Sequence, residues 1–244
     1  MDFSLLLPLS LGIFVIAILY SSVGHAGASG YIAVMSLFSL APEFIKPAAL
    51  TLNILVASIT FWQFYRSGYF RWTLFWPFAV LAIPMAFLGG YMNLPATVFN
   101  ILVGIVLLTS AIRFIADPKS DEAKSTPSKP LAISSGAGLG FLAGLTGTGG
   151  GIFLTPLLLM MRWATAKNAA AVSALFILFN SISGLAGNIT ATLSLPIFAL
   201  PLVIAAVAGG SIGSWMGSRR MNHIWIKRLL AAVLLIAGLK LVFF

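Results

Sequence analysis

The amino-acid sequence predicts an all-α fold: a polytopic transmembrane helical bundle of two inverted five-segment repeats, with short or re-entrant helices at glycine-rich breaks. Three observations predict it. Hydrophobic residues fill 60% of the 244 positions and charged residues only 8%, whereas a soluble domain carries about 25% charge to stay in water. Apolar runs of about 20 residues recur along the whole chain, each long enough to cross a hydrocarbon core of about 30 Å as a helix. A glycine-rich pattern in the first half returns, at a constant spacing, in the second.

The composition also excludes. Five acidic residues are too few for a water-facing surface of this size. A transmembrane barrel would show segments of about 10 residues with alternating polarity, and the runs here are continuous. The net charge of +9 would point to nucleic acid in a soluble protein. Here the positive-inside rule accounts for it, so the expected partner is membrane lipid and no nucleic acid. No cysteine is present, so disulfides and thiolate metal sites are excluded. His25 and His223 are far apart, no His/Asp/Glu cluster stands near either, and neither a metal nor a cofactor is expected.

The first apolar run, 3–23, is followed by Ala26-Gly27-Ala28, which has the look of a signal-peptide cleavage site. The start Met1-Asp2-Phe3 has no Lys or Arg, and the element after the run recurs later, so 3–23 is read as a retained helix. Further segments are predicted at 30–41, 47–66, 73–93 and 96–116. A second series follows at 131–146, 150–162, 167–187, 196–217 and 223–243. Residues 117–130 hold six of the 19 charged residues and three prolines. Such a stretch cannot bury a core, so it is read as a linker between a first repeat, 1–116, and a second, 131–244.

A shift of 120 positions brings Gly24, Gly27, Gly30 and Ile32 onto Gly144, Gly147, Gly150 and Ile152, and Gly89-Gly90 onto Gly209-Gly210. An extra stretch near 217–224 then moves the last helix out of register. With five crossings per half, the loops at 66–71, 113–129, 162–167 and 219–228 share one side and hold 12 of the 14 basic residues. Only Lys46 and Lys240 fall opposite. The bias makes the linker cytoplasmic and both termini extracytoplasmic, and an odd number of segments inverts the second half. The segments at 30–41 and 150–162 are too short to span, and hairpins or full crossings fit the charge bias equally.

The paired breaks carry the chemistry. Half one reads Gly24-His-Ala-Gly-Ala-Ser-Gly30 and half two reads Gly144-Leu-Thr-Gly-Thr-Gly-Gly-Gly151. Non-helical backbone at membrane depth survives only inside protein or beside a water-filled cavity. Each break opens a short helix whose first N–H groups lack an intrahelical partner and carry the positive dipole end. Two such ends brought together make an anion site without Lys or Arg. The backbone donors would be Gly27, Ala28, Ser29 and Gly30 from one side and Gly147, Thr148, Gly149 and Gly150 from the other. Ser29, Thr146 and Thr148 would add hydroxyls. Close helix packing is the competing use of these glycines. It is preferred for Gly136, Gly140, Gly144 and for Gly209, Gly213, Gly217, whose spacing of four suits helix contact.

His25 is an ionisable group in a membrane interior and so a functional candidate; a neutral ring bonded at a helix end explains it equally. Asn53 and Ser173 match under the same shift, each early in the helix after a short one, and are read as binding residues beside the breaks. Lys46 is read as snorkelling. Tyr65, Tyr69 and Trp72 are read as interface anchors. No nucleophile–base pair or metal set is visible, so an enzyme is not expected. A dinucleotide fingerprint around Gly147 lacks the strand and the acidic ribose partner that it needs.

At these residues the chain resembles the sulfite exporter TauE/SafE family of membrane permeases. The likeness rests on Gly24–Gly30, on Gly147-Thr-Gly-Gly-Gly-Ile-Phe-Leu-Thr-Pro156, on Ala169-Ala-Ala-Val-Ser-Ala-Leu and on Gly209-Gly210, and it runs over essentially the full chain. The resemblance implies a transporter of a small sulfur oxyanion or organosulfonate, such as sulfite or sulfoacetate, in the bacterial inner membrane. His25, Ala28, Ser29 and Tyr31 depart from the glycine-rich pattern. The expectation is a secondary transporter, an exporter, in which one half rocks against the other; a homo-oligomer is compatible with it. An anion channel and a non-transporting scaffold or assembly subunit are the alternatives.

Overall fold

The structure is a computed structural model, and it describes residues 3–38, 40, 42–92, 108, 111, 112, 115, 116, 122–192 and 200–243. Among the described residues the chain is helix and loop, without a strand. In order come α1 (Phe3–Ser22), α2 (Ala28–Leu37), α3 (Pro42–Arg66), α4 (Trp72–Tyr91), α5 (Lys129–Thr146), α6 (Gly151–Met160), α7 (Ala166–Thr192), α8 (Leu200–Trp215) and α9 (His223–Phe243). A π turn, Met216–Arg220, follows α8, overlapping the extra stretch that the sequence reading puts near 217–224. The predicted segment at 96–116 lies largely outside the described residues.

Among the described residues, four helical stretches are long and apolar enough to cross a membrane: Phe44–Arg66, Trp72–Tyr91, Ala166–Thr192 and Leu200–Arg220. Their polar residues are largely satisfied internally, as a lipid environment demands. Ser58, Thr190 and Ser211 each donate to the carbonyl four residues back, as Ser10 does on α1. Leu7, Leu11, Trp62, Val80 and Ile204 stand outward on α1, α3, α4 and α8, an apolar exterior suited to lipid. The protein is an integral membrane protein.

The helices are joined by close backbone contact. A Cβ on Gly136, Gly140 or Gly144 of α5 would overlap the carbonyl oxygens of Phe78, Ala82 and Ala86 on α4. A Cβ on Gly209, Gly213 or Gly217, on α8 and the π turn, would overlap those of Phe14, Ile18 and Ser22 on α1. The packing reading of both glycine triplets is thus borne out. In each seam the fourth helix of one half lies along the first helix of the other. α3 and α7, the long third helices, pack against each other between the seams.

The basic loops gather at one end. Lys124 N–H donates to the Arg162 carbonyl at 2.8 Å, and Asn168 Nδ2 donates to the Tyr69 carbonyl at 2.6 Å. Lys167 Nζ donates to Tyr69 Oη at 3.2 Å and to the Ser218 carbonyl at 3.3 Å. Here Arg66, Lys129, Lys167, Arg220 and Arg228 each lie over an aromatic ring, from Trp62 to Trp225, as an interfacial belt requires. Lys46 does not simply snorkel: its ammonium donates to the Gly90 carbonyl at 3.3 Å, near the C-terminal end of α4.

Candidate functional site

Two of the helices, α2 and α6, are ten residues long, about 15 Å at 1.5 Å per residue. Each starts from a break in the preceding helix. The first break occupies 23–27, where Gly24 and Gly27 take φ of 84° and 105°. The second occupies 147–150, where Gly147, Gly149 and Gly150 take φ of 72°, 75° and 84°. Such values are open to glycine and costly for other residues. The repeat predicts the second break to open at Gly144, but Gly144 and Thr146 are still helical. Gly144 is held in the α4–α5 seam, and Thr146 donates back to the Leu142 carbonyl at 2.8 Å. The second break therefore begins three residues late, at Gly147.

The breaks meet. A small open cleft is lined by Tyr20, His25, Ala26, Gly27, Ala28 and Ser29 from half one and by Thr148, Ile152 and Ile177 from half two. Among the described residues no Lys or Arg lines it. Of the sequence-predicted residues, His25, Gly27, Ala28, Ser29 and Thr148 stand on its wall.

The others stand behind it. Asn53 Oδ1 accepts the Ala28 N–H at 3.0 Å, so that amide is already used in capping α2. Asn53 Nδ2 donates to the Thr148 carbonyl at 3.2 Å and to Ser181 Oγ at 3.3 Å. Gly149 lies under Asn53, Ser181 and Ile177, each within 2.8 Å of where its Cβ would be. Gly150 lies against Phe176 and Ala143, and Gly147 against the stem of Lys46. Gly30 packs on Ile16 of α1. Thr146 Oγ1 reaches Thr148 Oγ1 at 2.8 Å, linking it to the wall. The amides left by helix geometry for a ligand are those of Ser29 and Gly30 on α2 and of Gly151 and Ile152 on α6.

Ser173 is reached through a chain. His25 Nε2 is 2.8 Å from Thr155 Oγ1, and Thr155 donates to Ser173 Oγ at 2.7 Å. All three are buried. Tyr20 accepts a bond from Ser29 Oγ at 3.0 Å, and Tyr31 donates to the Ala26 carbonyl at 2.6 Å. Sequence reasoning missed Tyr20, Thr155 and Ile177. The first and last sit in apolar runs, and Thr155 falls at Met35 under the repeat shift, so the duplication carried no sign of it.

Comparison with known proteins places the chain in a family. A protein of Sinorhizobium fredii with the name "Probable membrane transporter protein y4hK" is 41% identical over 238 residues, 96% of each chain. A "Probable membrane transporter protein" of Methanocaldococcus jannaschii is 26% identical over 266 residues, 98% of this chain and 96% of its own. One of Bacillus subtilis, YunE, is 26% identical over 158 residues, 60% of this chain and 58% of its own. No solved structure matches. The family model described as "Sulfite exporter TauE/SafE" matches residues 9–241, and the chain belongs to that family.

Proposed function

We propose that the protein is a secondary membrane transporter, an exporter, of a small sulfur-containing anion such as sulfite, a sulfonate or sulfoacetate. The observation that carries this reading is a single cleft walled by both glycine breaks. Donors there are unpaired first-turn amides at the positive ends of α2 and α6, with the hydroxyl of Tyr20; the Ser29 and Thr148 hydroxyls are turned to Tyr20 and Thr146. Such a set holds a compact oxyanion through hydrogen bonds and lets it go again, because no fixed cation traps it. A tetrahedral or pyramidal SO₃ group offers acceptors in several directions and fits donors that converge from two sides.

The two halves are read as inverted repeats, and the exchanged seams support this: α1 with α8 is the counterpart of α5 with α4. The same seams argue that the moving bodies are the seam pairs rather than the sequence halves, since rocking half against half would open both glycine seams. The gathered basic loops support a cytoplasmic linker, 117–130, with both termini extracytoplasmic in the inner membrane. The driving force is an ion or substrate gradient, as no nucleotide-binding motif is present in the sequence.

Purified protein in liposomes loaded with sulfite or with a sulfonate tests the reading. Saturable efflux with counterflow is expected. Non-saturating flux would make the protein a channel, and no flux with either anion would return it to the scaffold reading.

A further inference from the structure

We infer that the cleft takes its anion together with one proton, and that His25 Nδ1 is the atom that meets it. This rests on the transporter reading above and adds the chemistry of what is carried. The argument starts from Thr155. Its hydroxyl has one proton, which is donated to Ser173 Oγ. Toward His25 Nε2, at 2.8 Å, Thr155 can therefore only accept. Nε2 must carry the ring proton, and Nδ1 is left with a bare lone pair. That nitrogen is buried and has no hydrogen-bond partner, on a ring that lines the cleft and is 2% exposed.

A bare lone pair is a poor neighbour for an anion. A sulfonate oxygen is also only an acceptor, so the two would face each other unpaired in a dry site, which disfavours binding. One proton removes the conflict in either of two ways. An acid anion such as hydrogen sulfite brings its own and donates it to Nδ1. For an anion without a proton, Nδ1 takes one from hydronium or buffer acid in the aqueous phase, and the imidazolium then donates to the anion. Both routes balance as one anion and one proton.

The surroundings make the two arrivals simultaneous. Among the described residues, the groups at the ring are Tyr20 on α1, 6.4 Å between ring centroids, and the Gly151 backbone and Thr155 hydroxyl on α6, with Ser173 on α7 behind Thr155. None is a carboxylate, so only the bound anion can offset an imidazolium charge at this depth. The repeat shift puts Leu145 where His25 stands and Met35 where Thr155 stands. The device is therefore built into one break and not the other.

His223 is the chain's only other histidine, and a His223→Gln background isolates His25 for ¹⁵N NMR. Without anion, a proton on Nε2 and none on Nδ1 is expected. Calorimetry with methanesulfonate, in buffers of differing ionisation enthalpy, should give uptake of one proton per anion, and the NMR should then show both nitrogens protonated. His25→Gln should abolish the uptake and weaken methanesulfonate binding roughly tenfold or more. Thr155→Val, which frees the tautomer, should let Nδ1–H appear in the anion-free spectrum. Methanesulfonate binding with no proton uptake, or uptake that survives His25→Gln, overturns the coupling and leaves the transporter reading intact. If neither methanesulfonate nor sulfite binds, the transporter reading fails and the coupling falls with it.

Discussion

The side-chain amide of Asn53 donates to the carbonyl of Thr148, 3.2 Å away, so a residue of the first half holds the break of the second. The other end of the same amide accepts the Ala28 N–H. One side chain thus fixes the spacing of the two short helices that face the cleft. Asn53→Ala strands the Ala28 donor and the Thr148 acceptor, and each buried orphan costs about 1–3 kcal/mol. The expected result is a lower melting temperature and weaker sulfite binding in the variant that remains folded. Normal affinity in folded Asn53→Ala would show that the spacing of the breaks does not matter to the ligand.

Gly149 lies against the same amide. A side chain there meets Asn53 Nδ2 and Ile177 at 2.8 Å and forces a non-glycine residue to φ of 75°, at about 1–3 kcal/mol for the backbone alone. Gly149→Val should abolish binding of sulfite and of a sulfonate, read by calorimetry on protein checked for folding. Gly30→Val should behave differently from its repeat counterpart at Gly150. It strikes Ile16 of α1, so its effect should fall on stability before affinity.

The α4–α5 seam supplies a stability contrast within one helix. A Cβ at Gly144 overlaps the Ala86 carbonyl, while a Cβ at Gly138 meets nothing within 4 Å. Gly138→Ala should stabilise by about 0.5–1 kcal/mol, the helix-propensity gain alone. Gly144→Ala should destabilise by about 1–3 kcal/mol, as overpacking does. Thermal melting in detergent checks both, and equal shifts of the same sign would mean that the seam is not tight.

Orientation can be read directly because the chain has no cysteine. Ser125→Cys should react with a membrane-impermeant thiol reagent only from the cytoplasmic side. A cysteine appended after Phe244 should react only from the outside. Labelling of both from one side would undo the count of five segments per half.

The helix order was legible because lipid imposes a simple rule on composition, and the run lengths of α3, α4, α7 and α8 obey it. The glycine breaks were legible because positive φ at membrane depth has few other solutions. The boundary at Gly144 was misread for a physical reason. Glycine serves both left-handed turns and close helix contact, and only the position of the Ala86 carbonyl decides between them. Asn53 and Ser173 matched by position and yet bond differently, one across both breaks and the other to Thr155. The cleft's Tyr20, Thr155 and Ile177 were invisible because their role depends on which half they face, and a one-dimensional repeat does not specify that.

The exchanged seams bear on how the protein is made. The carbonyls of Phe14 and Ile18 leave the ribosome long before the glycines that cover them, Gly209 and Gly213. Until then α1 waits in the bilayer beside an unfilled groove, and its closing contact spans most of the chain. Contacts of such long range form slowly. A nascent chain stopped before α8 would hold helices without a bundle, a form open to quality-control proteases. Expression of this protein should therefore depend on the integrity of its C-terminal third more than on that of any other segment.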